Sequence, residues 1–267
     1  MDNRPIGVFD SGLGGLTAVR RLQELLPNED IVYFGDTGRV PYGTRSEETI
    51  RRYAREDCRL LLDHDVKFII AACGTVSSVA PDFLRSLPVP AVGVVEATAK
   101  AAVAATRNKH VGIIGTAATV RSRSFETTML ELDPSLSITA EACPLFVPLV
   151  ESGWIDPSDD VAIAMVRRYM APFKRAEIDT LILGCTHFPL LAPIIQAELG
   201  ANVTLIDSGR ETAIYCANVL ADRQALADKE SGHCRFLVSD RPEGFSRTAE
   251  IFLGRSVREE VESISLT

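Results

Sequence analysis

The sequence has no apolar run approaching the roughly 20 residues a helix needs to cross a bilayer. Its opening, Met1-Asp2-Asn3-Arg4-Pro5, carries no apolar stretch of signal-peptide length. Both absences point to a cytoplasmic protein with no membrane partner. There is no C-x-x-C pair among the six cysteines, Cys58, Cys73, Cys143, Cys185, Cys216 and Cys234, so neither a zinc ribbon nor a thioredoxin-type motif is supported. A disulfide framework is equally out of place in a reducing cytosol. The dinucleotide fingerprint G-x-G-x-x-G and the Walker A sequence are missing. Positive charge is in deficit: 28 Lys and Arg against 36 Asp and Glu give a formal net charge of -8, and an acidic chain repels phosphate backbones, so nucleic acid is not an expected partner. No lysine stands in a context suggesting a pyridoxal phosphate site and no metal-ligand cluster is visible. No cofactor and no metal are therefore expected.

What the chain does have is apolar material. Hydrophobic residues make up 46% and charged residues 24%, enough for a sizeable core, and 267 residues allow one large domain or two smaller ones. Short apolar runs predict strands over residues 6–9, 30–34, 66–71, 91–94, 111–114, 180–183, 203–206 and 234–238, the last of the chain. Between them, helical periodicity places Leu13, Leu16, Val19, Leu22 and Leu26 on one face. Ser46 followed by Glu47 and Glu48 reads as the cap and acidic first turn of a helix reaching about His64. Residues 96–106 are alanine-rich and helical in propensity.

Strands alternating with helices predict an α/β protein with mostly parallel sheets covered on both faces. Such sheets bind ligands beyond the C-terminal ends of their strands. The polar and reactive residues gather there: Asp10 and Ser11, Asp36, Cys73 and Thr75, Thr116, Cys185 to His187, Asp207 and Ser208. The plan also echoes itself. Gly7-Val8-Phe9-Asp10-Ser11-Gly12 opens one half and Gly112-Ile113-Ile114-Gly115-Thr116-Ala117 the other, and in each half a later apolar strand delivers a cysteine followed by a threonine. The echo predicts two related α/β domains, each presenting one thiol.

Gly12, Gly14 and Gly15 read as a tight strand-to-helix turn, with a cluster of backbone N–H groups able to hold a carboxylate. In Cys185-Thr186-His187 the imidazole stands beside a thiol where a strand leaves the sheet, and a neighbouring imidazole biases a thiol toward thiolate. Cys58, Cys216 and Cys234 read as packing residues, Cys143 is ambiguous, and His64, His110 and His233 lie at element ends.

In joint order and spacing, several stretches resemble the glutamate racemases of the cofactor-independent aspartate/glutamate racemase family. They are Phe9-Asp10-Ser11-Gly12-Leu13-Gly14-Gly15, Tyr33-Phe34-Gly35-Asp36-Thr37, Pro41-Tyr42-Gly43, Ala72-Cys73-Gly74-Thr75, Gly93-Val94-Val95-Glu96, Gly115 to Val120, Leu149-Val150-Glu151 and Leu183 to Leu190. The resemblance covers essentially the whole chain. It implies two pseudo-symmetric α/β domains with the active site in the cleft between them. Both chain ends, residues 1–97 and 208–267, would form the first domain, and residues 98–207 would form the inserted second one. It implies interconversion of L- and D-glutamate to supply D-glutamate for peptidoglycan. It maps the two acid/base thiols onto Cys73 and Cys185, assisting groups onto Asp10 and His187, and a further acidic residue onto Glu151. Ser11, Pro41, Tyr42, Gly43, Gly74, Thr75, Thr116 and Thr186, with Asp10 and His187, match positions that hold the substrate. A homodimer is the oligomeric state toward which the resemblance leans. One position departs: many members read Cys-Asn-Thr where this chain has Cys73-Gly74-Thr75, which removes a side-chain amide from the substrate contacts.

Two bases on opposite sides of the α-carbon can remove a proton from one face and return one to the other. A thiol suits both roles, because its reference pKa of about 8.5 keeps both forms accessible near neutrality. Three alternatives differ in what they ask of the residues. An aspartate racemase or related two-cysteine isomerase differs only in the pocket for the distal carboxylate. A hydrolase using Cys185 and His187 leaves Cys73 without a job. A silent binding protein has no need of either thiol.

Overall fold

The computed structural model describes residues 1–265 and divides the chain into two compact units. One comprises Met1–Val94 and the segment from Gly209 onward; the other is Val95–Ser208. No helix among the described residues is long and apolar enough to cross a membrane.

The first unit holds a six-stranded parallel sheet. Its strands are β1 (Ile6–Asp10), β2 (Ile31–Gly35), β3 (Phe68–Ala71), β4 (Ala91–Gly93), β9 (Cys234–Val238) and β10 (Val261–Ser263), ordered β10-β9-β2-β1-β3-β4. The second holds β5 (His110–Gly115), β6 (Ser137–Ala142), β7 (Thr180–Leu183) and β8 (Thr204–Asp207), all parallel and ordered β6-β5-β7-β8. The central strands β1 and β3 are buried at every position, as strands covered by helices on both faces must be.

The predicted echo is visible as topology. In the first unit β2-β1-β3-β4 lie side by side, and in the second β6-β5-β7-β8 repeat that order. Each fourth strand then hands the chain to the other unit. The helix Val94–Ala105 follows β4, and its Val95, Ala99 and Ala102 belong to the core of the second unit with Val111, Ile113, Phe125 and Ile182. The helix Ser208–Asp222 follows β8 and belongs, from Gly209 onward, to the first unit.

Two features differ from expectation. Residues 234–238 do not form the last strand, because β10 pairs with β9 in parallel. β6 was not foreseen either: its residues Ser-Ile-Thr-Ala-Glu-Ala are exposed or half-buried throughout, the pattern of an edge strand without an apolar run. The helix Glu47–Asp63 begins where expected, with the Ser46 hydroxyl accepting from the Thr49 N–H at 3.3 Å.

Candidate active site

In the first unit the candidate residues collect at the C-terminal ends of β1, β2 and β3. Asp10 ends β1, is buried, and its Oδ2 accepts the Gly12 N–H at 3.0 Å. The turn to the helix Leu16–Leu25 must pass close to that carboxylate. A Cβ on Gly15 would come within 2.7 Å of the Asp10 Cβ, so only glycine fits. Register pairs Phe9 with Ala71. Ser11 and Cys73 therefore both stand two residues beyond a paired position, and the Cys73 Sγ lies 3.7 Å from the Ser11 hydroxyl oxygen. Cys73 precedes the helix Gly74–Val79, whose Thr75 and Val76 N–H groups point at the sulfur. Burial raises the thiol and the Asp10 charge adds to it, while those donors and Ser11 oppose. The thiol is pushed up to about 12, so Cys73 rests protonated.

Pro41, Tyr42 and Gly43 form a turn after the cis Val40–Pro41 bond. Tyr42 is held by Asp36, which stands among the expected strand-end residues, and by Asp57, which does not. The buried Tyr42 hydroxyl donates to Asp36 and lies 2.8 Å from Asp57 Oδ2. Arg39 ties the two carboxylates together, at 2.5 Å to Asp36 and 2.9 Å to Asp57, and also pairs with Glu56. Asp36 and Asp57 are fully buried. Burial, and then the Asp36 charge, push the Asp57 carboxyl well above its ordinary range. The signal for Asp57 was available, since it shares the buried face of its helix with Ile50, Ala54, Cys58 and Leu61.

The second unit repeats the arrangement. Register pairs Ile114 with Leu183. Thr116 and Cys185 thus occupy the positions that Ser11 and Cys73 occupy in the first unit. The Thr116 hydroxyl is engaged locally: it caps the helix Ala117–Ser122 by accepting the Thr119 N–H at 3.2 Å. Cys185 is half-buried, and its Sγ lies 3.8 Å from His187 Nδ1. His187 Nε2 lies 3.0 Å from Glu151 Oε1 at the end of the helix Phe146–Glu151. Phe146 and Phe188 pack edge-to-face at 5.2 Å, fixing the helix that carries Glu151 against the turn that follows His187. Burial pulls the imidazole down, but its hydrogen bonds with Cys185 and Glu151 outweigh that and raise it to about 10. At neutral pH His187 is therefore a cation facing a thiol on one side and a carboxylate on the other. Thr186, between Cys185 and His187 in the sequence, is buried.

Among the remaining cysteines, Cys58 and Cys216 are fully buried and Cys234 is half-buried at the start of β9. Cys143 follows β6 and is buried; it stands in the second unit where Asp36 stands in the first. Among the described residues no group of three or more His, Cys, Asp or Glu side chains is placed to hold a metal ion.

Two parallel-sheet units with the same strand order, each delivering a thiol two residues beyond the same strand, define a class of two-cysteine α/β proteins. The chain belongs to the Asp/Glu/Hydantoin racemase family, whose model matches residues 6–216. It is 47% identical over 266 residues to a glutamate racemase of Neisseria meningitidis serogroup A, covering 98% of this chain and 97% of that one. The crystal structure of a Thermus thermophilus glutamate racemase in complex with β-chloro-D-alanine is 44% identical, with a TM-score of 0.89 over 100% of this chain and 99% of that one. A Francisella tularensis glutamate racemase in complex with D-glutamate is 36% identical, with a TM-score of 0.91 at the same coverage.

Proposed function

We propose that this protein is a cofactor-independent glutamate racemase that interconverts L- and D-glutamate and supplies the D-enantiomer for peptidoglycan. The observation that carries this reading is the matched pair of thiols, Cys73 and Cys185, each on an equivalent strand end in a chain similar over its whole length to glutamate racemases.

In the proposed reaction the two thiols serve opposite faces of the α-carbon. Cys185 as thiolate takes the α-proton of L-glutamate, and Cys73 as thiol gives a proton to the other face, leaving D-glutamate. The reverse direction exchanges the roles. The high resting pKa of Cys73 suits it as the donor toward the D-product. Asp10 stands by Cys73 to receive or return its proton. The His187 imidazolium, oriented by Glu151, stabilises Cys185 as thiolate and can return a proton to it. Ser11, Thr75, Thr116 and Thr186, with the Pro41-Tyr42-Gly43 turn and the backbone at Gly74, supply donors for the substrate carboxylates and the charge developing at the α-carbon. The protein acts in the cytoplasm as a homodimer, a state that light scattering of the purified protein tests.

The test of activity is circular dichroism of dialysed, chelator-treated protein with each enantiomer of glutamate and of aspartate. Loss of optical activity with glutamate alone is expected. Turnover only of aspartate, or turnover restored only by pyridoxal phosphate or metal, contradicts the reading.

A further inference from the structure

Each unit contains a buried serine that the reaction as written does not use. In the first unit the Ser77 hydroxyl lies 3.0 Å from the Ala71 carbonyl oxygen and 3.0 Å from that of Cys73, and it accepts the Val94 N–H at 3.0 Å. Bonding to the carbonyl four residues back is ordinary for a helical serine. Reaching the last residue of β3 and receiving an N–H from Val94 is not. Val94 is the last residue of the first unit before the chain crosses to the second. The space is closed as well: a Cβ on Gly93 would meet the Ser77 Oγ at 2.7 Å.

In the second unit the Ser208 hydroxyl donates to the Leu183 carbonyl oxygen at 3.1 Å. Ser208 is the last residue of that unit before the chain crosses back. Ala71 is the last residue of β3 and Leu183 the last of β7, and each stands two residues before its cysteine. Both serines are buried. At each crossing of the chain, then, a buried hydroxyl bonds the carbonyl two residues upstream of the thiol. The two serines come from different elements, Ser77 from the helix after the cysteine and Ser208 from the helix after the fourth strand. They reach the same place from different directions.

We propose that Ser77 and Ser208 are a matched pair of positioning residues, each setting the place of its own unit's thiol by bonding the peptide that precedes it. The proposal rests on the racemase reading. A thiol must lie within a few tenths of an ångström of its place for proton transfer, and misplacement by about 1 Å can cost on the order of 100-fold in rate. Neither serine touches the reacting atoms in this account.

The test uses the isotope effect rather than rate alone. Enantiomers are equal in free energy, so kcat/KM must remain equal in both directions for any variant. The primary isotope effect has no such constraint, because it reports which thiol's step limits. With α-deuterated substrates, Ser77→Ala is expected to lower kcat/KM about tenfold, to raise the isotope effect on D-glutamate, whose proton goes to Cys73, and to lower that on L-glutamate. Ser208→Ala is expected to do the reverse. Gly93→Ala, which keeps the serine but crowds its hydroxyl, should reproduce the Ser77→Ala pattern, and Ser208→Thr, which keeps a hydroxyl, should restore the wild-type one. If Ser77→Ala fails to fold, the Gly93 and Ser208 variants carry the test. Isotope effects that move together for both enantiomers, or stay fixed while rate or Tm falls, overturn the proposal, as do unchanged rates in all the variants. Absence of racemisation in the wild-type protein is a separate outcome, which refutes the activity before any serine is changed.

Discussion

At the scale of the residue the two thiols are not alike. Cys73 is buried beside Asp10 with its thiol held up to about 12, whereas Cys185 is half-buried beside an imidazolium. A reaction that needs Cys73 as base must therefore first remove its proton. Elimination of chloride from β-chloroalanine isolates this step: the α-proton passes to one thiolate, the C–Cl bond breaks, and the released aminoacrylate hydrolyses to pyruvate and ammonia. Elimination from the D-form is expected to climb about tenfold per pH unit between about pH 7 and 9, following Cys73 ionisation. Pyruvate release from the D-form across pH measures it; a flat profile over that range contradicts the assignment. His187 gives a second expectation. Its folded pKa, about 10, exceeds the unfolded value of about 6.5, so its contribution to stability is complete below 6.5 and lost as pH rises through 10. Glu151→Gln removes one of the two partners that raise it. The ring titration of His187, followed by NMR, is expected to move down in that variant, and an unchanged titration would mean that Glu151 does not hold it. Gly74 opens the helix after Cys73 without a side chain of its own. Gly74→Asn is expected to change KM more than kcat, since it adds a substrate contact and leaves both thiols in place. A folded but inactive variant would mean that the backbone there needs glycine.

At the scale of the element, the Asp36, Arg39, Asp57 and Tyr42 network fixes the turn Pro41-Tyr42-Gly43. Asp57 is raised in the folded state, so between about pH 4 and its folded pKa the native protein holds a proton that the unfolded chain has released. Stability then falls as pH rises through that window. Asp57→Asn mimics the protonated form. The drop in denaturant midpoint from pH 5 to pH 8 is expected to be smaller in this variant than in the wild type; an equal drop would place the proton elsewhere. Elements of this kind show what a sequence can and cannot reveal. The strands 180–183 and 234–238 were legible to the residue, because β7 and β9 are apolar runs bounded by turn or polar residues. β6 and β10 were not, because an edge strand open to solvent needs no apolar run, and β10 is half-buried or exposed throughout. The strand-end positions of Asp10, Cys73, Thr116 and Cys185 were legible as breaks from apolar to polar residues. The burial of Asp57 was legible from its helix face, but its pairing with Tyr42 and Arg39 was not, since those partners lie on a separate loop.

At the scale of the whole molecule, the repeated strand order places one cysteine at an equivalent position in each unit. In the proposed reaction, racemisation is symmetric between two faces of one carbon, and a duplicated unit would supply one base for each. The central claim is that each thiol serves one enantiomer, and it is tested most directly by single-thiol variants with the two enantiomers of β-chloroalanine. Replacing either cysteine should nearly abolish racemisation of glutamate, because every turnover needs one thiol to take a proton and the other to give one. Elimination needs only one. Cys73→Ala is expected to release pyruvate from the L-form alone, and Cys185→Ala from the D-form alone. Near-normal racemisation by either variant, or equal elimination from both enantiomers in both variants, would contradict the account.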